Sequence, residues 1–464
     1  MRPAAFLRIS VACIALVLSP MGVAAPVVVD DFKTTLAKAQ AGDAVAQYSL
    51  GLMYDQGKGV PKDPVTAAKW FRKSAELGHV LAQHNLGCAY EAGEGVPKDT
   101  TKAAKWYRKA ADQGLALSQT NLGLLYYRGD GVPQDAAEAV RWWRKSAELG
   151  DAAGQNNLGA MYEQGRVVRK DMALAVKWYL KSGEQGYMKA QATLGSLYDR
   201  GVGVRQDYTE AALWYRRAAE QGSGSAQAAL GYLYELGRGV PQDYAEAAKW
   251  YRLAAEQGEV MAQLNLGIVC SRDDSPVKDM AEAAKWWRKA ADQGNARGQY
   301  NLGVLYRLGN FLPQDWPAAA RLFTLSAEQG YGPAQLNLGL MCEDGQGMAK
   351  DYPQAIRWYL AAADQGYALG HYHLAMMHTK GRGLPKDTVE SYARFTLAAE
   401  MGHDKSQQMI ALLSKEKGLP ADFHAKARQR AAELRKEGQE RQKQEEAKKE
   451  AAKAEATKAA STKK

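Results

Sequence analysis

Asp43 to Gly78 reads DAVAQYSLGLMYDQGKGVPKDPVTAAKWFRKSAELG. Ala46, Leu50, Met53 and Tyr54 recur at i, i+4, i+7 and i+8, which is one face of an α-helix. Gly57-Lys58-Gly59-Val60-Pro61 stops that helix. Asp63 then stands as the N-cap of a second helix, and Pro64 takes its first position, where a missing N–H costs nothing. This helix carries Ala67, Ala68, Trp70, Phe71 and Ala75 and ends at Gly78. Gly51 and the paired alanines let the two helices approach closely, while Tyr54 and Phe71 fill the space between. One hairpin of this size cannot bury its apolar faces alone.

The stretch repeats along the chain. Leu-Gly pairs start at Leu50, Leu86, Leu122, Leu158, Leu194, Leu230, Leu266, Leu302 and Leu338, each 36 residues after the last, and Leu374-Ala375 continues the series. The capping Asp keeps the same period from Asp63 to Asp387, and a Trp does so from Trp70 to Trp286 and again at Trp358. The fold is therefore expected to be all-α, an α/α superhelical solenoid of about ten 36-residue helix-turn-helix repeats. Asp207–Glu210 and Asp243–Glu246 have the spacing of a reciprocal capping box. Three repeats depart from the pattern. The seventh has Asp273-Asp274-Ser275 in place of its turn glycines. The eighth has Phe311-Leu312 in the turn and Leu322 in the Trp slot. The tenth carries His371 and His378.

The chain has 464 residues, 46% hydrophobic and 24% charged, which excludes a wholly disordered chain and a multi-span membrane protein. Five segments are expected. Residues 1–24 form a signal peptide, with Arg2 and Arg8 before the short apolar run Ile9–Leu18. A capping helix follows over 25–42, then ten repeats over 43–402, a capping half-repeat and helix over 403–434, and a charged tail over 435–464. The tail contains no Val, Ile, Leu, Met, Phe, Trp or Tyr and reads as a solvated helix or as disorder. No stretch after the signal reaches transmembrane length, so the mature protein is expected to be exported, periplasmic or secreted from a bacterium. More than half of the formal net charge of +10 lies beyond residue 414, which leaves the repeats nearly neutral. That argues against nucleic acid as a partner and confines any anionic surface to the tail.

Ala82 to Gly114, AQHNLGCAYEAGEGVPKDTTKAAKWYRKAADQG, resembles the Sel1-like repeat, a relative of the tetratricopeptide repeat. The resemblance covers about Asp43 to Gly402. It implies a superhelical scaffold that binds other proteins, of a kind often exported in bacteria.

No catalytic constellation, cofactor motif or metal site stands apart from the repeat. His371 and His378 are two helical turns apart, roughly 10 Å, too far to share a metal, and His373 points to another face. Cys270 and Cys342 replace the column's Tyr, expected to be buried, and are therefore expected to be inert core thiols, about 20 Å apart and beyond disulfide reach. Ser414-Lys415-Glu416-Lys417 matches Ser-x-x-Lys without its companion motifs.

The candidate binding face lies on the first helices. The residue before the anchor leucine is Asn85, Asn121, Asn157, Asn265, Asn301 or Asn337 in six repeats, with Thr193 and Ala229 interrupting the run. Three residues further on stand Leu52, Leu124, Tyr232, Ile268, Val304 and Leu340, apolar residues that the hairpin core does not require. An amide ladder beside an apolar strip fits an extended peptide backbone in a groove, in two sub-sites at repeats two to four and seven to nine. The competing assignment has the Asn side chains staple neighbouring repeats. The Trp column, with its pairs Trp142-Trp143 and Trp286-Trp287, suggests a cell-wall or polysaccharide ligand as the alternative, and a hydrolase of the repeat family ranks last.

Overall fold

The computed structural model describes residues 31–415 and 419–462. The expected signal peptide and the end of the Ser-x-x-Lys match lie outside the described residues. Among those described there are 23 helices and no strand. They form two compact bodies, one ending at Lys170 and one starting at Asp171.

The N-terminal body holds α1 (Phe32–Gln40), α2 (Ala44–Gln56), α3 (Pro64–Glu76), α4 (Val80–Ala92), α5 (Thr100–Asp112), α6 (Ala116–Arg128), α7 (Ala136–Glu148) and α8 (Ala152–Gln164). The C-terminal body starts with α9 (Met172–Glu184), α10 (Met188–Arg200), α11 (Tyr208–Glu220), α12 (Gly224–Leu236) and α13 (Tyr244–Glu256). It continues with α14 (Val260–Ser271), α15 (Met280–Asp292), α16 (Ala296–Leu308), α17 (Trp316–Glu328), α18 (Gly332–Asp344) and α19 (Tyr352–Asp364). Its last elements are α20 (Ala368–Lys380), α21 (Thr388–Glu400), α22 (Asp404–Leu413) and α23 (Phe423–Thr462). Each body is a helical solenoid in which first and second helices alternate.

Local chemistry sets the ends of these helices. Asp99 and its repeat equivalents cap each second helix through a side-chain oxygen that accepts from an amide in the first turn. The reciprocal half of the capping box is not made. The backbone N–H of Asp207 donates to Tyr198 O at 3.0 Å and that of Asp243 to Tyr234 O at 3.0 Å. The cap amide is thus already satisfied by the preceding helix, which frees the Glu side chain. Glu246 pairs with Lys249, and Glu138 accepts from the Trp142 indole. The second glycine of each Gly-x-Gly turn serves the stack. A Cβ on Gly95, whose φ is +71°, would lie 1.9 Å from Pro64 O of the preceding repeat. The Leu-Gly pair has a comparable logic. Leu86 is wholly buried, and a Cβ on Gly87 would sit 2.7 Å from the Tyr107 ring. In the seventh repeat, which lacks the turn glycines, ion pairs Arg272–Asp274 and Lys278–Asp273 hold the loop instead.

A buried glutamine ladder joins one repeat to the next. Gln83, Gln119, Gln227, Gln263, Gln299 and Gln335 each donate from Nε2 to a carbonyl at the end of the preceding second helix. Except in Gln119, their Oε1 atoms accept from a second glutamine 30 residues on, as in Gln113 to Gln83 at 2.8 Å and Gln293 to Gln263 at 2.9 Å. Leucine replaces that donor at Leu77 and Leu149. The Oε1 atoms of Gln47 and Gln119, which those positions would serve, are buried without a partner among the described residues. Both leucines are 59% exposed, so they contribute little packing. Leu77→Gln and Leu149→Gln are each expected to stabilise the N-terminal body by about 1 kcal/mol, since each satisfies a buried acceptor. Urea unfolding checks this. A lowered midpoint for both variants would show that the ladder has no such deficit.

The last helix covers the second-helix side of repeats nine and ten. α23 does not end where the large apolar residues end. It continues to Thr462, and residues as far as Arg441 engage the stack. Ala431 and Leu434 pack on Ala393 and Leu397, both buried. The equivalents of Ala393 in earlier repeats are exposed and mostly charged, as at Lys249 and Lys285. Arg394 stands in the Trp slot, buried, and pairs with Glu390 at 2.8 Å. Glu390 also accepts from Arg430 of α23 at 2.6 Å, and Arg441 forms a two-pronged pair with Asp364 at 2.7 and 2.8 Å.

Candidate peptide-binding face on the first helices

In the N-terminal body, Asn85, Asn121 and Asn157 lie half-buried in α4, α6 and α8, one turn before the partly exposed residue that ends each anchor. Leu52 and Leu124 are half-buried on α2 and α6. The amides of Asn85 and Asn121 make no hydrogen bond to another described residue, and Asn157 Oδ1 accepts from its neighbour Asn156 at 3.4 Å. One turn earlier on the same face stand Val45, Leu81 and Leu117, which are 62%, 38% and 46% exposed. Sequence reasoning missed this second apolar column. The signal was present, because a residue four before the Asn shares its helical face. The first three of these helices thus present a large apolar residue, then Ser49 or an amide, then Leu52, Cys88 or Leu124, whereas α8 has Ala153, Asn157 and Ala160.

The C-terminal body carries the other sub-site. Asn265, Asn301 and Asn337 are half-buried on α14, α16 and α18. Tyr232 is 44% exposed, whereas Ile268, Val304 and Leu340 pack partly against the core. Asn301 makes no hydrogen bond to another described residue. Asn337 donates to Pro333 O of its own helix at 2.9 Å. Asn265 alone reaches the preceding repeat, through Tyr251 Oη at 3.3 Å. Among the described residues, no Asn of the column bonds a neighbouring repeat's backbone. Stapling through the backbone falls instead to the glutamines, two residues before the Asn.

Beside the amides runs a set of carboxylates held by buried tyrosines. Tyr107 Oη donates to Glu91 at 2.7 Å, Tyr251 to Glu235 at 2.6 Å and Tyr359 to Glu343 at 2.9 Å. Burial raises all three phenols well above the usual tyrosine range, and the adjacent carboxylate adds to it, after Cys88 in the case of Tyr107. They remain neutral donors that fix the carboxylates, of which Glu91 and Glu235 are half-buried and Glu343 is buried.

The Trp column is placed differently. Trp142, Trp214, Trp250 and Trp286 are buried, and Trp70, Trp106, Trp178 and Trp358 half-buried. Lys73, Lys109, Lys145 and Lys289 lie over the rings of Trp70, Trp106, Trp142 and Trp286 at 4.2–4.3 Å. A cation from the same helix therefore occupies the position a sugar ring would need. Trp143 and Trp287, the second members of the Trp pairs, donate to Thr120 O and Leu264 O inside the core.

The remaining reactive side chains are dispersed. His371 is buried, His373 stacks on Tyr359 at 4.8 Å, and His378 Nδ1 lies 3.1 Å from Pro385 O. Cys270 and Cys342 are buried free thiols, pushed up by burial to about 12 and about 11, so neither is a thiolate at neutral pH. Of the tyrosines whose column they share, Tyr90 and Tyr234 are buried and the others half-buried.

The Sel1 repeat model matches ten consecutive segments, from residues 44–79 to 368–403. The chain belongs to the Sel1 repeat family. Sel1 repeats generally serve protein–protein interaction. Among solved structures, the chain is similar to c5321, a protective antigen of uropathogenic Escherichia coli with the same repeat fold. The identity is 34%, over 89% of this chain and 97% of that one, with a TM-score of 0.67. It is also similar to a Sel1 repeat protein of Oxalobacter formigenes, at 35% identity over 55% of this chain and 99% of that one, with a TM-score of 0.47. No curated protein matches.

Proposed function

We propose that this Sel1 repeat protein is a non-enzymatic interaction scaffold, and that its first helices bind an extended segment of a partner protein. The observation that carries this is the division of labour between two amide columns. The glutamines are buried and engaged in the stack. The amides of Asn85, Asn121 and Asn301 are half-buried and make no bond to another described residue. A half-buried amide with neither donor nor acceptor used is suited to a peptide backbone, whatever its side chains. The flanking Val45, Leu81 and Leu117 supply apolar contact at the same period. We place the protein outside the cytoplasm, on the signal-like segment of residues 1–24.

A displayed library of random peptides, selected on the mature chain, supplies the probe. A photo-crosslinker at Leu117 or Leu124 is expected to capture the selected peptide, and one at Lys105, on the opposite second-helix side, is not. Capture only at Lys105 would overturn the assignment of the face.

A further inference from the structure

The second helices carry an arginine that fills the junction between repeats. Arg72, Arg108, Arg144, Arg216 and Arg288 each donate to a tyrosine hydroxyl 18 residues on, in the next repeat. For four of them the guanidinium carbon lies 5.5–6.0 Å from that ring's centre. Where Cys270 replaces the tyrosine, Arg252 remains and turns to Glu282, with two bonds of 3.0 Å. A guanidinium thus occupies this place at six junctions.

Three junctions lack it: between repeats four and five the slot holds Leu180, with Tyr198 kept, and two later junctions depart further. Between repeats nine and ten the arginine slot holds Leu360, and the position equivalent to Glu282 is Glu390. There a guanidinium arrives from elsewhere, because Arg430 of α23 bonds Glu390 at 2.6 Å. Between repeats eight and nine the slot holds Thr324, the tyrosine is Cys342, and Gln354 stands where Glu282 would be. Nothing fills this one. A cavity of about 330 Å³ opens between α17 and α19, at the lower end of the roughly 300–1,000 Å³ of ligand pockets. Glu328 and Asp351 put carboxylates on its wall, Trp358 supplies an aromatic face, and Cys342 and Met348, whose sulfurs are 3.3 Å apart, are among its apolar lining.

We propose that this cavity is a binding site for a guanidinium group delivered from outside the repeats, as Arg430 is delivered at the next junction. The carboxylates supply charge-assisted acceptors, and the two sulfurs a neutral surface for an alkyl stem. Arg357, which lies over the Trp358 ring at 5.4 Å and also lines the cavity, opposes the incoming charge.

Isothermal titration of the full chain tests this with agmatine as a free guanidinium, the peptide acetyl-Ala-Arg-Ala-amide, and acetyl-Ala-norleucine-Ala-amide as the neutral control. One saturable site is expected for at least one guanidinium probe, with Kd about 1 mM, and none for the control. Thr324→Arg restores the repeat's own arginine and is expected to weaken binding at least tenfold while raising the melting temperature. Glu328→Gln, an exposed and structurally mild change, is expected to weaken binding without altering melting. Arg357→Gln is expected to tighten it. Binding of the peptide but not agmatine identifies a partner's arginine as the ligand, and the reverse identifies a free guanidinium compound. No saturable heat with either probe, or equal binding by the Thr324→Arg chain, would overturn the assignment.

Discussion

Glu390→Ala is expected to cost about 3–5 kcal/mol, concentrated in the last two repeats. Arg394 and Glu390 are each only 8% exposed, and among the described residues Glu390 is the one carboxylate bonded to Arg394. Removing it leaves a buried cation unpaired. Arg430 keeps Glu433 and Glu437, so the loss falls mainly on Arg394. Burial already holds the Arg394 guanidinium below its usual range, with Glu390 acting in the opposite direction. In a repeat array such a loss loosens the terminal units first. Hydrogen exchange should therefore rise across Thr388–Glu400 and Phe423–Arg441 and stay unchanged in the N-terminal body. Adding Arg394→Leu should recover more than half of the loss, because the charge goes and leucine already occupies this slot at Leu322. If exchange in α21 is unaffected by Glu390→Ala, the ion pair does not hold the end of the stack.

Acid should destabilise both bodies well above the carboxylate range. Burial lowers His84 and His371 to about 4, with the charge of Arg394 adding to the effect at His371. Unfolded imidazole titrates near 6.5. Between these values the unfolded chain binds a proton that the folded chain does not. Stability is therefore fully present above pH 6.5 and is lost as the pH falls towards 4. The ceiling is on the order of 3 kcal/mol per histidine. The repeat itself supplies the control residues. Leu264 and Leu336 occupy the His84 slot, Ala82 the slot of its partner Ser118, and Gln335 that of His371. His84→Leu with Ser118→Ala, combined with His371→Gln, should flatten denaturant midpoints between pH 6.5 and 4.5. An unchanged slope would assign the acid sensitivity elsewhere.

Periodicity made the fold legible because each structural role recurs at one spacing. The Leu-Gly pair, the capping Asp and the turn glycines each do one mechanical task ten times or nearly so, and a repeated constraint is readable where a single one is not. Departures from the period proved more informative than expected. Leu77, Leu149, Thr324 and Leu360 look like neutral drift in a sequence. In three dimensions they mark two orphaned glutamine oxygens, a cavity, and a site served by a distant arginine. Those consequences depend on partners 18 or 30 residues away, or from another helix, which no local pattern reveals. The Asn column and the glutamine column were equally periodic. Only burial and hydrogen-bond partners separate the amides that hold the stack from those that do not. The tail was legible in composition but not in position. Nothing in its sequence shows that Arg441 would find Asp364, because the matching acid lies 77 residues upstream.

The central claim is that the asparagines bind and the glutamines staple. Asn85→Ala, Asn121→Ala and Asn157→Ala in one chain test it most directly, with the affinity for the selected peptide and the melting temperature measured on the same sample. At about 1 kcal/mol per amide bond, affinity should fall on the order of a hundredfold while melting shifts by no more than a degree or two. A chain that keeps its affinity, whether its melting temperature falls or holds, would contradict the account.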